Sequence, residues 1–170
     1  MVVAFAATAV DLIEGPIPVA CTPASGSRFP LGQTVVSCTA TNLRGKSDTD
    51  TFKVNVRDTT PPDILSLTPS VSVLPDTDQI VPVSIAVAVT DIVDPAPACK
   101  IVRVQGQGRD LDRDSMTDWT ITGDLTLSID ANARRRRGRT YTITVKCTDA
   151  AGNPSRDRTA VVSLMRRRWR

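Results

Sequence analysis

The sequence predicts an all-β protein made of two tandem antiparallel β-sandwich modules. Three observations carry this. Apolar residues recur at every second position along several stretches, which is the period of a strand with one buried face. A cysteine-containing unit is written twice: Cys38-Thr39-Ala40-Thr41-Asn42-Leu43-Arg44-Gly45 and Cys147-Thr148-Asp149-Ala150-Ala151-Gly152-Asn153. Between the copies stands Arg57-Asp58-Thr59-Thr60-Pro61-Pro62-Asp63-Ile64, whose Pro-Pro pair reads as a hinge. A repeated strand–loop–Cys…strand–Cys–turn–strand unit around such a hinge implies two modules, residues 1–60 and 61–170.

Taken in order, module one opens with an alternating strand from Val3 to Asp11 and an Asp-containing loop that leads to Cys21. Ser25-Gly26-Ser27 and Leu31-Gly32 mark turns. The next strand reaches Cys38, which by parity shares its inward face with Val36 and Ala40. Arg44-Gly45 turns the chain into a strand where Phe52, Val54 and Val56 alternate with Lys53, Asn55 and Arg57. In module two, Val83, Ile85, Val87 and Val89 form one apolar face, followed by the Asp91 loop and Cys99. Leu125, Leu127 and Ile129 form another, and Tyr141, Ile143, Val145 and Cys147 a third, ending in the turn Ala151-Gly152-Asn153-Pro154. No window carries a helical stripe with caps.

Composition agrees. Among 170 residues there are 12 Pro and 9 Gly, aromatics are only 4%, and β-branched residues abound, which favours short strands and turns. A module of about 60 residues buries a modest core. No run of 18 apolar residues exists to span a membrane as a helix. The first residues lack a basic segment before an apolar run, so secretion is expected to need a leader outside this chain.

The net charge of +3 is local rather than general. Residues 1–60 are balanced, and nine of the sixteen basic residues of module two lie in Arg134-Arg135-Arg136-Arg137-Gly138-Arg139 and Arg166-Arg167-Arg168-Trp169-Arg170. This does not make a broad nucleic-acid face.

The four cysteines fall two per module, with no Cys-x-x-Cys spacing and no histidine to suggest a metal centre. They point to two disulfides and an oxidising compartment. Of three pairings, the repeat selects Cys21–Cys38 and Cys99–Cys147, worth about 3 and about 4 kcal/mol by loop closure. Inward Val and Ile strands around a buried disulfide describe immunoglobulin-like sandwiches. The antibody pattern is absent: no Trp lies between the cysteines of module one, and no Tyr stands two residues before either second Cys.

Residues 3–60 resemble a bacterial hyalin-repeat module in Val19-Ala20-Cys21-Thr22-Pro23-Ala24-Ser25-Gly26-Ser27, Phe29-Pro30-Leu31-Gly32, Thr34 to Thr41 and Val54 to Pro62. Residues 61–170 resemble the related immunoglobulin-like module in Val81-Pro82-Val83, Asp91 to Lys100, Asp118 to Gly123 and Tyr141 to Asn153. The resemblance implies secreted or surface bacterial modules for adhesion or spacing, without catalysis. Against the family pattern, module one lacks an opening strand. Its turn Asn42-Leu43-Arg44-Gly45-Lys46 also departs from the Asp-Ala-Ala-Gly-Asn that module two keeps. An edge left by a missing strand could pair with a strand of another copy. A filament or virion-surface subunit is therefore the alternative to a spacer.

Catalysis has little to stand on, since without histidine no Ser-His-Asp or Cys-His arrangement can form. The best cofactor candidate is calcium. Asp110, Asp112 and Asp114 alternate like the start of a calcium loop, with Asp118 nearby, but Ser115 and Ile121 replace the Gly and Glu an EF-hand needs. A second calcium reading clamps an ion at the hinge with Asp58, Asp63 and the Asp11 or Asp91 loops. Asp149 reads as a turn residue. Trp119 reads as a packing residue at a strand start. Arg134, Arg135, Arg136, Arg137 and Arg139, read as a hairpin tip between two strands, are candidates for a sulfated glycan or other polyanion. The remaining partners expected are other protein modules or cell-surface components.

Overall fold

A computed structural model describes residues 1–75, 77, 79–107, 118–131 and 139–164. The chain forms two compact units, Met1–Asp58 and Thr59–Arg170. The fold is all-β and immunoglobulin-like, with antiparallel sheets and no helix among the described residues.

Unit 1 holds β1 (Ala9–Asp11), β2 (Gly15–Ile17), β3 (Val19–Thr22), β4 (Gly32–Thr41) and β5 (Ser47–Val56). β1 and β2 form a two-stranded ribbon, and the other three form a sheet in the order β3-β4-β5. Phe29, Val36, Cys38 and Val56 are its buried core, with Val3, Phe5 and Val19 packed on it. The strand expected from Val3 to Asp11 is shorter than its alternation suggests. Val3 and Phe5 pair with a loop instead: Gly26 N–H donates to the Val3 carbonyl at 2.9 Å, and Phe5 N–H donates to Ser25 Oγ at 2.9 Å. Alternation shows which side chains turn inward, but the neighbour decides whether a ladder forms.

Unit 2 is a two-sheet sandwich. One sheet runs β10 (Trp119–Gly123), β11 (Thr126–Asp130), β8 (Ile80–Thr90), β6 (Asp63–Pro69). The other runs β7 (Val73–Leu74), β13 (Arg158–Leu164), β12 (Thr140–Thr148), β9 (Ala98–Gln107). All pairings are antiparallel except the short β13–β7 contact. Of the inward positions read from parity, Val83, Ile85, Leu127, Ile129, Tyr141, Ile143 and Val145 are buried in the core, while Val87, Val89 and Leu125 are half-buried. Trp119 packs against this core and meets Tyr141 edge-on, with centroids 6.0 Å apart. A Cβ on Gly106 would stand 3.0 Å from the Trp119 ring, so the glycine makes room for the indole.

β11 and β12 lie in different sheets, so these two strands do not form the hairpin expected on either side of the arginine run. The disulfides also differ from the antibody plan. Each links directly opposed residues of neighbouring strands in one sheet: Cys21–Cys38 across β3 and β4, and Cys99–Cys147 across β9 and β12. No described cysteine is free.

Candidate functional site

The two units carry the same loop–turn clasp, built from corresponding residues. In unit 1, Asp11 ends β1 and its Oδ1 accepts the N–H groups of Ile13 and Glu14 at 2.8 and 3.0 Å. Glu14 Oε2 reaches the turn after β4 and accepts Leu43 N–H at 2.9 Å. The turn is closed by Gly45 N–H to the Asn42 carbonyl, with Gly45 at φ 75°, a conformation that favours glycine. Asn42 Oδ1 accepts Arg44 and Lys46 N–H, while its Nδ2 donates to Asp11 Oδ2 at 3.1 Å. Every acceptor of Asp11 is therefore served.

In unit 2, Asp91 follows β8 and its Oδ1 accepts Val93 and Asp94 N–H, both at 2.8 Å. Asp94 Oδ2 accepts Ala150 N–H at 2.9 Å, as Glu14 does for Leu43. Gly152 N–H closes the turn onto the Asp149 carbonyl, with Gly152 at φ 90°. Here the residue in the place of Asn42 is Asp149. Its Oδ1 accepts Asn153 N–H at 2.7 Å and its Oδ2 accepts Asn153 Nδ2 at 2.8 Å. It has no donor to offer Asp91. Asp91 Oδ2 is closed off from solvent and has no hydrogen-bond partner. The Asp91 and Asp149 carboxylates instead approach to within 4.8 Å.

The electrostatics follow from the donors. Asn42, then Ile13 and Glu14, hold the Asp11 carboxyl below its usual range. At Asp149, burial pushes the carboxyl up, but the Asn153 side chain and the N–H groups of Asn153, Ala151 and Gly152 outweigh it, and the result is lowered. A carboxyl lowered by folding contributes stability that is present above its unfolded value, about 3.9, and lost as pH falls through the folded one. Thermal melts from pH 6 to pH 2 are expected to show unit 1 weakening below about pH 4. In Asn42→Leu this acid dependence should shrink, because the largest cause of the Asp11 shift is gone.

The other expected site residues are placed unevenly. Asp110, Asp112, Asp114, Arg134, Arg135, Arg136 and Arg137 lie outside the described residues. Asp118 and Arg139 are described, and both are buried and paired with one another. That takes Asp118 out of an open calcium loop and Arg139 out of an exposed polyanion surface, because each neutralises the other inside the sandwich. Sequence reasoning named Asp91 as a loop ligand and Asp149 as a turn residue. It missed that they face each other. The one available signal was the Asn42-for-Asp149 exchange between the two repeats.

Unit 1 also has an open groove of about 550 Å³ over an apolar floor that includes Ala9, Ile17, Val19, Ala40 and Phe52. Asp48 and Asp50 border it, opposite Ala40 and Cys38 in the register, and so project on the inward face of the edge strand β5.

No family model and no curated protein matches the chain. The chain is similar to a fibronectin(III)-like module. That solved structure, of the Clostridium thermocellum CbhA fibronectin(III)-like modules, is 14% identical with a TM-score of 0.39. The match covers 84% of this chain and 66% of that one.

Proposed function

We propose that the chain is a non-catalytic structural or adhesion segment of an extracellular or cell-surface protein, built from a hyalin-repeat-like and an immunoglobulin-like module. The observation that carries this is the matched construction of the two units. Each has a disulfide across adjacent strands and a loop–turn clasp made by corresponding side chains. Such devices brace small β-units in an oxidising environment, where a modest core alone is marginal. The hyalin-repeat motifs quoted above support the same reading.

A spacer is favoured over a filament that exchanges strands. β5 is an edge strand of ten residues, but Asp48 and Asp50 put charge on its inward face. Inward charges on an edge disfavour the docking of another strand. Sedimentation velocity of the oxidised chain over a hundredfold range of micromolar concentrations is expected to show a monomer throughout. Concentration-dependent polymers would replace the spacer with the filament. Retention on heparin at moderate salt would favour the polyanion-binding role instead.

A further inference from the structure

We propose that unit 2 binds a calcium ion between Asp91 and Asp149, at the position where unit 1 uses an amide hydrogen bond. The two clasps serve as an internal comparison. The loop turn, the loop-to-turn bond and the turn closure correspond between them. What separates them is Asn42 in the place of Asp149, together with an Asn153 Nδ2 bond to Asp149 Oδ2 that unit 1 lacks. In unit 1 the inner oxygen of the loop aspartate, Asp11 Oδ2, accepts from Asn42 Nδ2. In unit 2 the equivalent oxygen, Asp91 Oδ2, is buried with no partner, and the facing side chain is a second carboxylate.

A buried carboxylate oxygen without a donor is costly, and a second carboxylate close by adds repulsion. Among the described residues neither Asp91 nor Asp149 has a basic partner: the ion pairs of unit 2 there are Arg139–Asp118 and Lys146–Asp157. A cation resolves both costs together. The ligands available are oxygens, and an ion about 2.3–2.6 Å from each of two oxygens fits a gap within 4.8 Å. That distance and the irregular loop setting suit calcium, which tolerates varied geometry, better than magnesium, which demands a near-ideal octahedron at about 2.1 Å. The loop is already shaped for the ion, because Asp91 Oδ1 and Asp94 are held by backbone N–H groups.

The test uses the full oxidised chain and calcium chloride as the probe, with unfolding of unit 2 followed by hydrogen exchange of β8 and β12. Millimolar calcium is expected to raise its melting temperature relative to EGTA, and an equal concentration of magnesium is not. Asp149→Asn should abolish the calcium shift and leave the calcium-free melting temperature equal or higher, because it restores the amide that unit 1 uses, with the Asn153 amide turning to accept. Asp91→Asn should lose the shift as well, which covers the case where position 149 disturbs the turn. The reciprocal Asn42→Asp should make unit 1 calcium-dependent. The proposal is overturned if calcium gives no shift, if magnesium gives an equal one, or if the shift survives in both Asp91→Asn and Asp149→Asn. It is also overturned if the shift is lost only when Asp110, Asp112 and Asp114 are changed to Asn.

Discussion

Removing the Cys21–Cys38 link is expected to unfold unit 1 at 25 °C while unit 2 stays folded. The two links are similar in worth, about 3 and about 4 kcal/mol by loop closure over separations of 17 and 48 residues. The cores they reinforce are not similar. Among the described residues, the core cluster of unit 1 has four buried members and that of unit 2 has fourteen. A domain of under 60 residues buries too little surface to lose 3 kcal/mol safely, since total stability is commonly about 5–15 kcal/mol. Cys21→Ala/Cys38→Ala should therefore lose amide protection throughout β3, β4 and β5. Cys99→Ala/Cys147→Ala should keep protection in β8 and β12 and melt earlier. Equal loss in both double variants would mean that the units are not separately stabilised.

The readable parts of this fold were those written in local pattern. Parity alone placed Tyr141, Ile143, Val145 and Cys147 on one face, and all four are fully buried. The disulfide partners followed from the repeat, because equivalent cysteines occupy equivalent places. What parity cannot state is which strand becomes a neighbour. Leu127 and Tyr141 belong to adjacent strands in the chain, yet to opposite sheets, and the segment between them looked like a hairpin for that reason. Val3 and Phe5 alternate like strand residues but find a loop as partner. The candidate site shows the same limit. Asp149 was legible as a turn residue because its partners are within five positions. Its approach to Asp91 depends on two loops meeting at one end of the sandwich. Arg139 belonged to a charged run that reads as solvated, and only the fold supplies Asp118.

That buried pair leads to the second large effect. Asp118 immediately precedes β10 in one sheet, and its carbonyl accepts Asp130 N–H at 2.8 Å. Arg139 immediately precedes β12 in the other, and its carbonyl accepts Leu164 N–H at 2.8 Å. Each residue is thus pinned to its own sheet by the backbone, and the side chains tie the layers together where both crossovers arrive. Their side chains are 0% and 4% exposed, so neither charge has water to fall back on. Replacing Arg139 leaves the Asp118 carboxylate buried without its counter-charge, beside the Tyr141 hydroxyl that donates to its Oδ2 at 3.4 Å, and replacing Asp118 leaves the Arg139 charge buried. Breaking a buried pair in this way costs about 3–5 kcal/mol. Arg139→Met or Asp118→Leu alone should lower the unfolding free energy of unit 2, read from urea denaturation, by that amount. The double variant Asp118→Leu/Arg139→Met should recover most of it, because it removes both desolvated charges and keeps similar volume. The coupling energy read from this cycle is expected to exceed about 2 kcal/mol, within the range for residues in contact. If the single changes cost no more than an exposed pair, under about 1 kcal/mol, the pair does not hold the sheets together.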